Sequence, residues 1–165
     1  MKQLLLIRHA KSDWSNSGLS DFERPLNKRG NKDAPVMADR LLNKHLIPQA
    51  IISSPALRAL TTAKYFAEVF NIDKKEIQKE PAIYEASPNT LLSIVNGLDN
   101  KFDFIALFGH NPGITNFAIS LCDTNIYDMP TCGVILIEFP FDDWKLISKN
   151  TGEEKLYDFP RNEED

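Results

Sequence analysis

Arginine and histidine side chains stand at the ends of two apolar segments of this sequence. Arg8 and His9 directly follow the aliphatic run at residues 4–7, and His110 lies just beyond a second apolar run at residues 104–108. Removing such groups from water costs several kcal/mol, so at the end of a buried segment they need a partner or a function. Arginine offers phosphate oxygens a planar, permanently charged fork of N–H donors. The residue types and their positions therefore favour a site that handles phosphate.

A Ser-Pro or Asn-Pro dipeptide recurs at the expected starts of three helices. The three segments are SSP at 53–55, ASP at 86–88 and HNP at 110–112. Each predicts an N-cap residue followed by proline at the first helical position. The predicted caps are Ser54, Ser87 and Asn111. The chemically versatile side chains beside these caps are Arg58, Glu85 and His110. Because free amides at helix N-termini favour anions, these side chains join Arg8 and His9 as candidates for a phosphate site.

Apolar runs and amphipathic segments alternate along the chain. The predicted strands are residues 3–8, 50–53, 104–108 and 133–139. The predicted helices are residues 27–45, 56–71, 88–98 and 112–122, and the polar segment 11–26 is predicted to be a loop. This alternation predicts an α/β fold, a three-layer α/β/α sandwich around a mainly parallel sheet. The carboxyl ends of parallel strands and the helix N-termini that follow them gather at one edge of such a sheet, where the candidate side chains would meet.

Composition indicates the class of protein and excludes several functions. The 165 residues are 42% hydrophobic and 25% charged, and no apolar run approaches the ~20 residues of a membrane-spanning helix. We expect a single domain over residues 1–165 that is soluble and has no membrane partner. The apolar run near the N-terminus is too short for a secretory signal, so a cytoplasmic location is expected. The net charge of -4 disfavours nucleic acid as a partner.

The two cysteines suit neither a zinc site nor a cysteine phosphatase. Cys122 and Cys132 form no CxxC pair, and both are expected to be buried free thiols. A cysteine phosphatase would need an arginine six positions after its thiolate, where this chain has Asp128 and Glu138. The HxH and HExxH spacings of many metallohydrolases are also missing from the sequence.

Four segments together resemble the histidine phosphatase superfamily, also called phosphoglycerate mutase-like. They are LLLIRHA at 4–10, PLNKRG at 25–30, SSPALRALTTA at 53–63 and GHNPG at 109–113. The compact chain, with YEAS at 84–87 and MPTCG at 129–133, is most similar to the small branch that includes SixA-type phosphohistidine phosphatases. Only 26 residues separate Arg58 from Glu85, and 24 separate Glu85 from His110. Larger members carry substrate-covering insertions in such intervals, so an open pocket is expected here.

The resemblance implies a metal-independent phosphatase, a hydrolase of phosphoric monoesters or phosphohistidine that uses no cofactor. His9 would attack phosphorus as a neutral imidazole and form a phosphohistidine, which water then hydrolyses. The side chains that would hold the phosphate oxygens are Arg8, Arg58 and His110. Glu85 would protonate the leaving group and then activate water, and Ser15, where many relatives carry Asn, would contact phosphate. The substrate would be a phosphohistidine-containing protein or a small phosphomonoester.

Other interpretations remain open from the residues alone. Arg8 could close a structural ion pair, and His9 could be a satisfied histidine at a strand end. The same fold could retain its phosphate pocket as a catalytically weak binding module, and a metallohydrolase with His and Asp ligands is a further alternative. A mutase is disfavoured because the short intervals leave little to retain an intermediate. Trp14 could line the mouth of the pocket or pack on the body of the protein.

Overall fold

Residues 1–162 are described by the computed structural model, and within them six strands form one sheet flanked by four α-helices. The strands are β1 (Lys2–Arg8), β2 (Ala50–Ser53), β3 (Gln78–Lys79), β4 (Phe104–Gly109), β5 (Val134–Phe139) and β6 (Glu153–Asp158). The helices are α1 (Lys28–Asn43), α2 (Leu57–Phe70), α3 (Pro88–Asn96) and α4 (Gly113–Leu121). Single turns of 3-10 helix lie in some connections, among them Asp21–Glu23 and Pro81–Ile83. The predicted α/β class is confirmed.

The order of the strands places two carboxyl ends side by side at the centre of the sheet. The order is β3-β2-β4-β1-β5-β6. The first four strands of this order run parallel, whereas β5 is antiparallel to β1, and β6 to β5. The register of β1 and β4 pairs Arg8 with Gly109, so the residues that follow, His9 and His110, leave the same edge of the sheet as neighbours. Because β5 is antiparallel, the loop that precedes it reaches this edge as well.

Both faces of the sheet are covered, because the side chains of β1 alternate between two apolar cores. Leu5 and Ile7 are buried in the core that includes residues of α1 and α2. Leu4 and Leu6 are buried in the opposite core, with residues of α3 and α4. The sheet is thus the middle layer of a three-layer α/β/α sandwich, as predicted. An uninterrupted aliphatic run is what a strand covered on both faces requires.

Of the three predicted helix caps, only Ser87 is confirmed. Its hydroxyl accepts a hydrogen bond from the backbone N–H of Thr90 at 3.2 Å. Ser54 lies outside α2, whose N-cap is Ala56. The Ser54 hydroxyl instead accepts the N–H of Ala56 at 3.2 Å within the turn that follows β2, so the helix begins later than the Ser-Pro pattern predicts.

Asn111 is also not the cap that the sequence predicts, since the N-cap of α4 is Pro112. The Asn111 side chain accepts the hydroxyl of Thr115 at 2.6 Å and donates to the backbone carbonyl of Met129 at 3.0 Å. These bonds tie the start of α4 to the loop that precedes β5. The asparagine therefore joins two elements at the sheet edge rather than ending a helix.

Two strands have no signature in the sequence. β3 is only two residues long and fully exposed, and β6 carries the charged sequence EEKLYD at the edge of the sheet. Both cysteines are buried and unpaired, as expected. No helix within residues 1–162 has the length and the apolar character needed to cross a membrane.

Candidate active site

Two imidazole rings face each other where β1 and β4 end. The ring centroids of His9 and His110 are 5.3 Å apart, and the ring planes are inclined at 53°. A backbone hydrogen bond of 3.1 Å from the N–H of His9 to the carbonyl of Gly109 fixes the two segments against each other. The structure therefore brings together two histidines that are 101 positions apart because β1 and β4 share one register.

His9 is buried, with 7% of its surface exposed, and it has one ring nitrogen free to react. Its Nδ1 lies 2.7 Å from the backbone carbonyl of Ala10. A carbonyl oxygen can only accept, so Nδ1 carries the proton and Nε2 keeps its lone pair. Burial lowers the pKa of His9 from 6.5 to about 3, and the neighbouring His110, Arg58 and Arg8 lower it further, against the hydrogen bond to Ala10. At neutral pH the ring is a neutral imidazole with a nucleophilic Nε2.

His110 contacts a serine in the turn that follows the neighbouring strand. Its Nε2 lies 2.8 Å from Oγ of Ser54, which directly follows β2. Its Nδ1 is buried and has no hydrogen-bond partner in the protein. Burial, followed by the charge of Arg58, lowers the pKa of His110 from 6.5 to about 4. His110 is therefore also neutral at physiological pH.

Two arginines flank the histidines, each anchored by one part of its guanidinium group. Nη1 of Arg8 donates to the carbonyl of Met129 at 2.8 Å, in the loop before β5. Arg58 lies in the first turn of α2 and donates from Nη1 to the Asp21 carbonyl at 2.7 Å and from Nη2 to the Asp21 carboxylate at 3.0 Å. The Nε–H of each arginine is buried without a partner. Among residues 1–162, Arg58 is thus paired with a carboxylate, whereas Arg8 donates to a backbone carbonyl.

An acidic residue that the sequence did not single out connects several groups around the site. The Asp21 carboxylate accepts hydrogen bonds from Arg58, from Arg24 at 2.9 and 3.1 Å, and from the Tyr84 hydroxyl at 2.6 Å. The bond from Tyr84, and then those from the arginines, hold the pKa of Asp21 well below its usual range. Arg24 is buried, and its guanidinium stacks at 3.5 Å on the exposed ring of Trp14. Trp14 therefore packs on the protein, and the Asp-x-x-Arg spacing at 21–24 is the signal that could have identified this network.

The connection between β3 and α3 carries Tyr84 and Glu85, and both lie beside His110. The Tyr84 ring meets the His110 ring edge-on at a centroid distance of 5.5 Å. Glu85 is exposed and lines, with His110, Ser87 and Asn116, an open cleft of about 400 Å³. The carboxylate is therefore available to groups that enter the cleft beside His110.

Ser15 makes its hydrogen bonds within its own loop. It is exposed in the loop 11–26, and its backbone N–H donates to the Asp13 carboxylate at 2.7 Å. Within the described residues its hydrogen bonds are with Asp13, not with the histidines or arginines. Among residues 1–162, no group of three or more His, Cys, Asp or Glu side chains is arranged to hold a metal ion.

Unpartnered donors indicate the kind of ligand that this arrangement can take. Among residues 1–162, three buried side-chain polar atoms lack a partner, and all are nitrogens at this edge of the sheet: Arg8 Nε, Arg58 Nε and His110 Nδ1. A buried donor without an acceptor costs about 1–3 kcal/mol. Two such arginine donors and the unpartnered nitrogen of His110, around an imidazole whose Nε2 is free, are suited to an anion that has several oxygens, and the donors can stabilise negative charge that develops on it.

Comparison with known proteins assigns the family. Residues 4–91 match the model of the histidine phosphatase superfamily (branch 1), so the chain belongs to this superfamily, and the family assignment supports a phosphatase. The chain is 25% identical to a protein assigned as the phosphohistidine phosphatase SixA of Agrobacterium tumefaciens, with a TM-score of 0.81 over 96% of this chain and 98% of that one. The predicted SixA-type branch is thereby confirmed.

Two further proteins are similar to this chain in sequence. An uncharacterized chloroplastic protein of Arabidopsis thaliana is 30% identical over 152 residues, which are 87% of this chain and 69% of that protein. Phosphoserine phosphatase 1 of Hydrogenobacter thermophilus is 38% identical over 87 residues. This match covers 52% of the present chain and 39% of the relative, and therefore bears on only part of either protein.

Proposed function

We propose that the chain is a metal-independent phosphatase that passes a phosphoryl group through Nε2 of His9 to water. Its substrate would be a phosphohistidine-containing protein or a small phosphomonoester. The observation that carries the proposal is a pair of buried, unpartnered arginine N–H donors, together with the unpartnered Nδ1 of His110, beside a neutral imidazole with a free Nε2. An acceptor with several oxygens satisfies these donors, and the reactive nitrogen lies within the same cluster.

The first step forms a bond between Nε2 of His9 and phosphorus and breaks the bond from phosphorus to the leaving group. The leaving group departs with the electron pair and takes a proton from Glu85, which lines the cleft beside His110. The positive charge that develops on the His9 ring is stabilised by the hydrogen bond from Nδ1 to the Ala10 carbonyl. The donors of Arg8, Arg58 and His110 act on the phosphoryl oxygens, since positioning and electrostatics dominate phosphoryl transfer.

The second step returns the enzyme to its starting state. A water molecule attacks phosphorus and gives its proton to the Glu85 carboxylate. The bond between phosphorus and Nε2 breaks, its electron pair returns to His9, and inorganic phosphate leaves. Atoms and charges balance over the two steps without a metal ion or a cofactor.

The substrate class rests on the form of the cleft and on the relatives. The cleft of about 400 Å³ beside His110 is open, which suits a phosphate displayed on a protein surface. Proteins similar to this chain are called a phosphohistidine phosphatase and a phosphoserine phosphatase. A phosphohistidine needs less help from an acid than an alkyl ester does, in keeping with the exposed position of Glu85.

The proposal is tested by trapping the intermediate. Wild-type protein mixed with a ³²P-labelled substrate and quenched in alkali should carry phosphate that is labile to acid, and His9→Ala should carry none and lose turnover. His45→Ala, which changes the exposed third histidine, is the matched control and should behave as wild type. The substrates to compare are a phosphohistidine protein, phosphoserine and p-nitrophenyl phosphate, each with and without EDTA.

Two outcomes would replace the proposal by one of its alternatives. Full activity of His9→Ala, or activity that EDTA abolishes, would contradict the mechanism, and the second result would favour a metallohydrolase. Calorimetric binding of phosphate without turnover of any substrate would favour a catalytically weak binding module. Asp21 makes this second function worth testing, because its carboxylate and its backbone carbonyl already accept hydrogen bonds from two nitrogens of Arg58.

We also propose that the protein works in the cytoplasm. Cys122 and Cys132 are buried free thiols, which is the state that a reducing compartment maintains. Fractionation of the cells that make the protein tests this proposal, and recovery of the protein in an exported fraction would contradict it.

A further inference from the structure

A buried serine outside the reacting groups contacts the ring of His110. Ser54 is fully buried in the turn between β2 and α2. Its Oγ lies 2.8 Å from Nε2 of His110 and accepts the backbone N–H of Ala56 at 3.2 Å. Its backbone N–H donates to Phe108 in β4, so the hydroxyl is held against the segment that carries His110.

The hydrogen bonds around Ser54 leave its hydroxyl proton available to His110. A serine hydroxyl has one hydrogen to donate, and the Ala56 N–H already occupies part of the acceptor capacity of Oγ. The hydrogen of Ser54 is therefore free to point at Nε2 of His110, which can accept it with its lone pair. His110 is neutral at physiological pH because burial and Arg58 lower its pKa to about 4. A neutral imidazole that accepts at Nε2 carries its single proton on Nδ1, the atom that is buried without a partner.

We propose that Ser54 is a positioning residue that holds His110 in the Nδ1–H tautomer, so that a donor rather than a lone pair faces the phosphate oxygens. The inference rests on the proposed function, because it assigns the Nδ1–H of His110 to the oxyanion. Without the serine hydroxyl, the neutral ring reverts toward the Nε2–H form, which is the preferred form of a free imidazole. That form presents a lone pair at Nδ1 and repels an anion.

Ser53 provides a matched control for the same position in the fold. Ser53 and Ser54 are adjacent and both are fully buried. The Ser53 hydroxyl donates to the backbone carbonyl of Ser54 at 2.9 Å and does not reach the histidine. Ser53→Ala and Ser54→Ala remove the same atom from neighbouring buried sites, so a general loss of packing would affect both variants.

The first measurement is made on the free protein and needs no substrate. The ¹⁵N chemical shifts of a neutral imidazole separate the protonated nitrogen from the unprotonated one. At pH 7, wild type and Ser53→Ala should show His110 protonated at Nδ1, and Ser54→Ala should show a shift of the proton toward Nε2. A wild-type ring protonated at Nε2, or a Ser54→Ala ring that keeps the wild-type tautomer, would overturn the proposal.

The second measurement is kinetic. Ser54→Ala should lower kcat/KM by about 10- to 100-fold, less than the 100- to 1,000-fold typical of deleting such a donor outright. The kcat/KM of Ser53→Ala should stay within about twofold of the wild-type value, because this variant loses no hydroxyl at the histidine ring. In a His110→Ala background, adding Ser54→Ala should change nothing, because the serine acts through the ring. A further loss in that background would overturn the proposal.

The two measurements also separate this inference from the proposed function. If His9→Ala retains activity while the tautomer follows Ser54 as stated, the phosphohistidine mechanism fails and the control of the ring proton stands. If His9→Ala is inactive and the tautomer ignores Ser54, the mechanism stands and the role of Ser54 fails.

Discussion

Two neutral histidines, His9 buried and His110 half-buried, make the stability of this protein depend on pH in a range where most carboxylates do not titrate. The pKa values of His9 and His110 fall from 6.5 in the unfolded chain to about 3 and about 4 in the folded protein. Between these values the unfolded chain binds more protons than the folded one, so stability is lost as the pH falls below about 6.5. The loss for each histidine approaches about 1.4 kcal/mol per pH unit and ends near its folded pKa.

The size of the effect follows from these values. Between pH 7 and pH 5 each histidine should remove about 2 kcal/mol from the free energy of unfolding, or about 4 kcal/mol for the pair. This is a large part of the 5–15 kcal/mol that is typical of a small domain. The carboxylate of Asp21 does not interfere in this range, because its pKa is held below the usual value and its stabilising effect is lost only at lower pH.

Urea unfolding at pH 7 and pH 5, followed by the fluorescence of the buried Trp144, measures the loss. His9→Gln and His110→Gln remove one titrating ring each, so each should reduce the loss by about 2 kcal/mol. The double variant should lose little. His45→Gln, at the exposed histidine, should lose as much as wild type. An equal loss in wild type and in both site variants would refute the link between burial of these rings and their low pKa.

Three further changes test other parts of the site. Glu85→Gln is expected to lower kcat about 100-fold for an alkyl phosphate, whose leaving group needs a proton, and much less for p-nitrophenyl phosphate. Asp21→Asn is expected to lower the free energy of unfolding by about 1–2 kcal/mol, because buried Arg58 loses an anionic partner whose carboxylate is itself 48% exposed. Gly113→Ala is expected to cost about 1–3 kcal/mol, because the added Cβ would overlap the carbonyl oxygen of Ala86. Steady-state kinetics measures the first change, and urea unfolding measures the other two.

Each of these variants has a control elsewhere in the chain. Glu76→Gln and Asp39→Asn change exposed acids away from the site and should have little effect. Gly97→Ala adds a Cβ that meets only ordinary contacts at 3.6 Å or more. A Glu85→Gln enzyme that is equally slow on both substrates would remove Glu85 as the acid. Variants of Asp21 and Gly113 as stable as their controls would contradict the contacts assigned to them.

The central part of the fold could be predicted because a strand that is buried on both faces has apolar residues at consecutive positions, which the sequence shows directly. The run before Arg8 is aliphatic at consecutive positions, since Leu4 and Leu5 enter opposite cores. The same holds for the run before His110. Parallel strands of this kind end at one edge, so the meeting of the two histidines follows from periodicity and topology alone. The resemblance in four segments then indicated the family that the comparisons confirm.

Two strands and two residues of the site have no comparable pattern in the sequence. β3 has no buried residue, and β6 carries charges because it lies at the edge of the sheet, so neither shows an apolar pattern. Ser54 stands before a proline, and this pattern favours a helix cap over a bond to a histidine that is 56 positions away. Asp21 lies in a polar loop, where single-residue patterns do not indicate which distant arginine it will meet. In these cases a long-range contact decides the role, and local sequence does not encode it.

The position of the site on the two central strands also explains its chemistry. A solvated pair of imidazoles would be protonated near pH 6.5, and water would occupy the free N–H donors. Burial instead keeps both imidazoles neutral, and Nε2 of His9 keeps its lone pair, while Arg8 and Arg58 supply the positive charge that would attract a phosphate dianion. The sheet holds these donors unpartnered at a cost in stability, and an oxyanion relieves that cost. At a free concentration of 100 times its Kd, such an anion should raise the free energy of unfolding by about 2.7 kcal/mol. The burial that makes the fold sensitive to acid is therefore also what would prepare the site for phosphate in the proposed function.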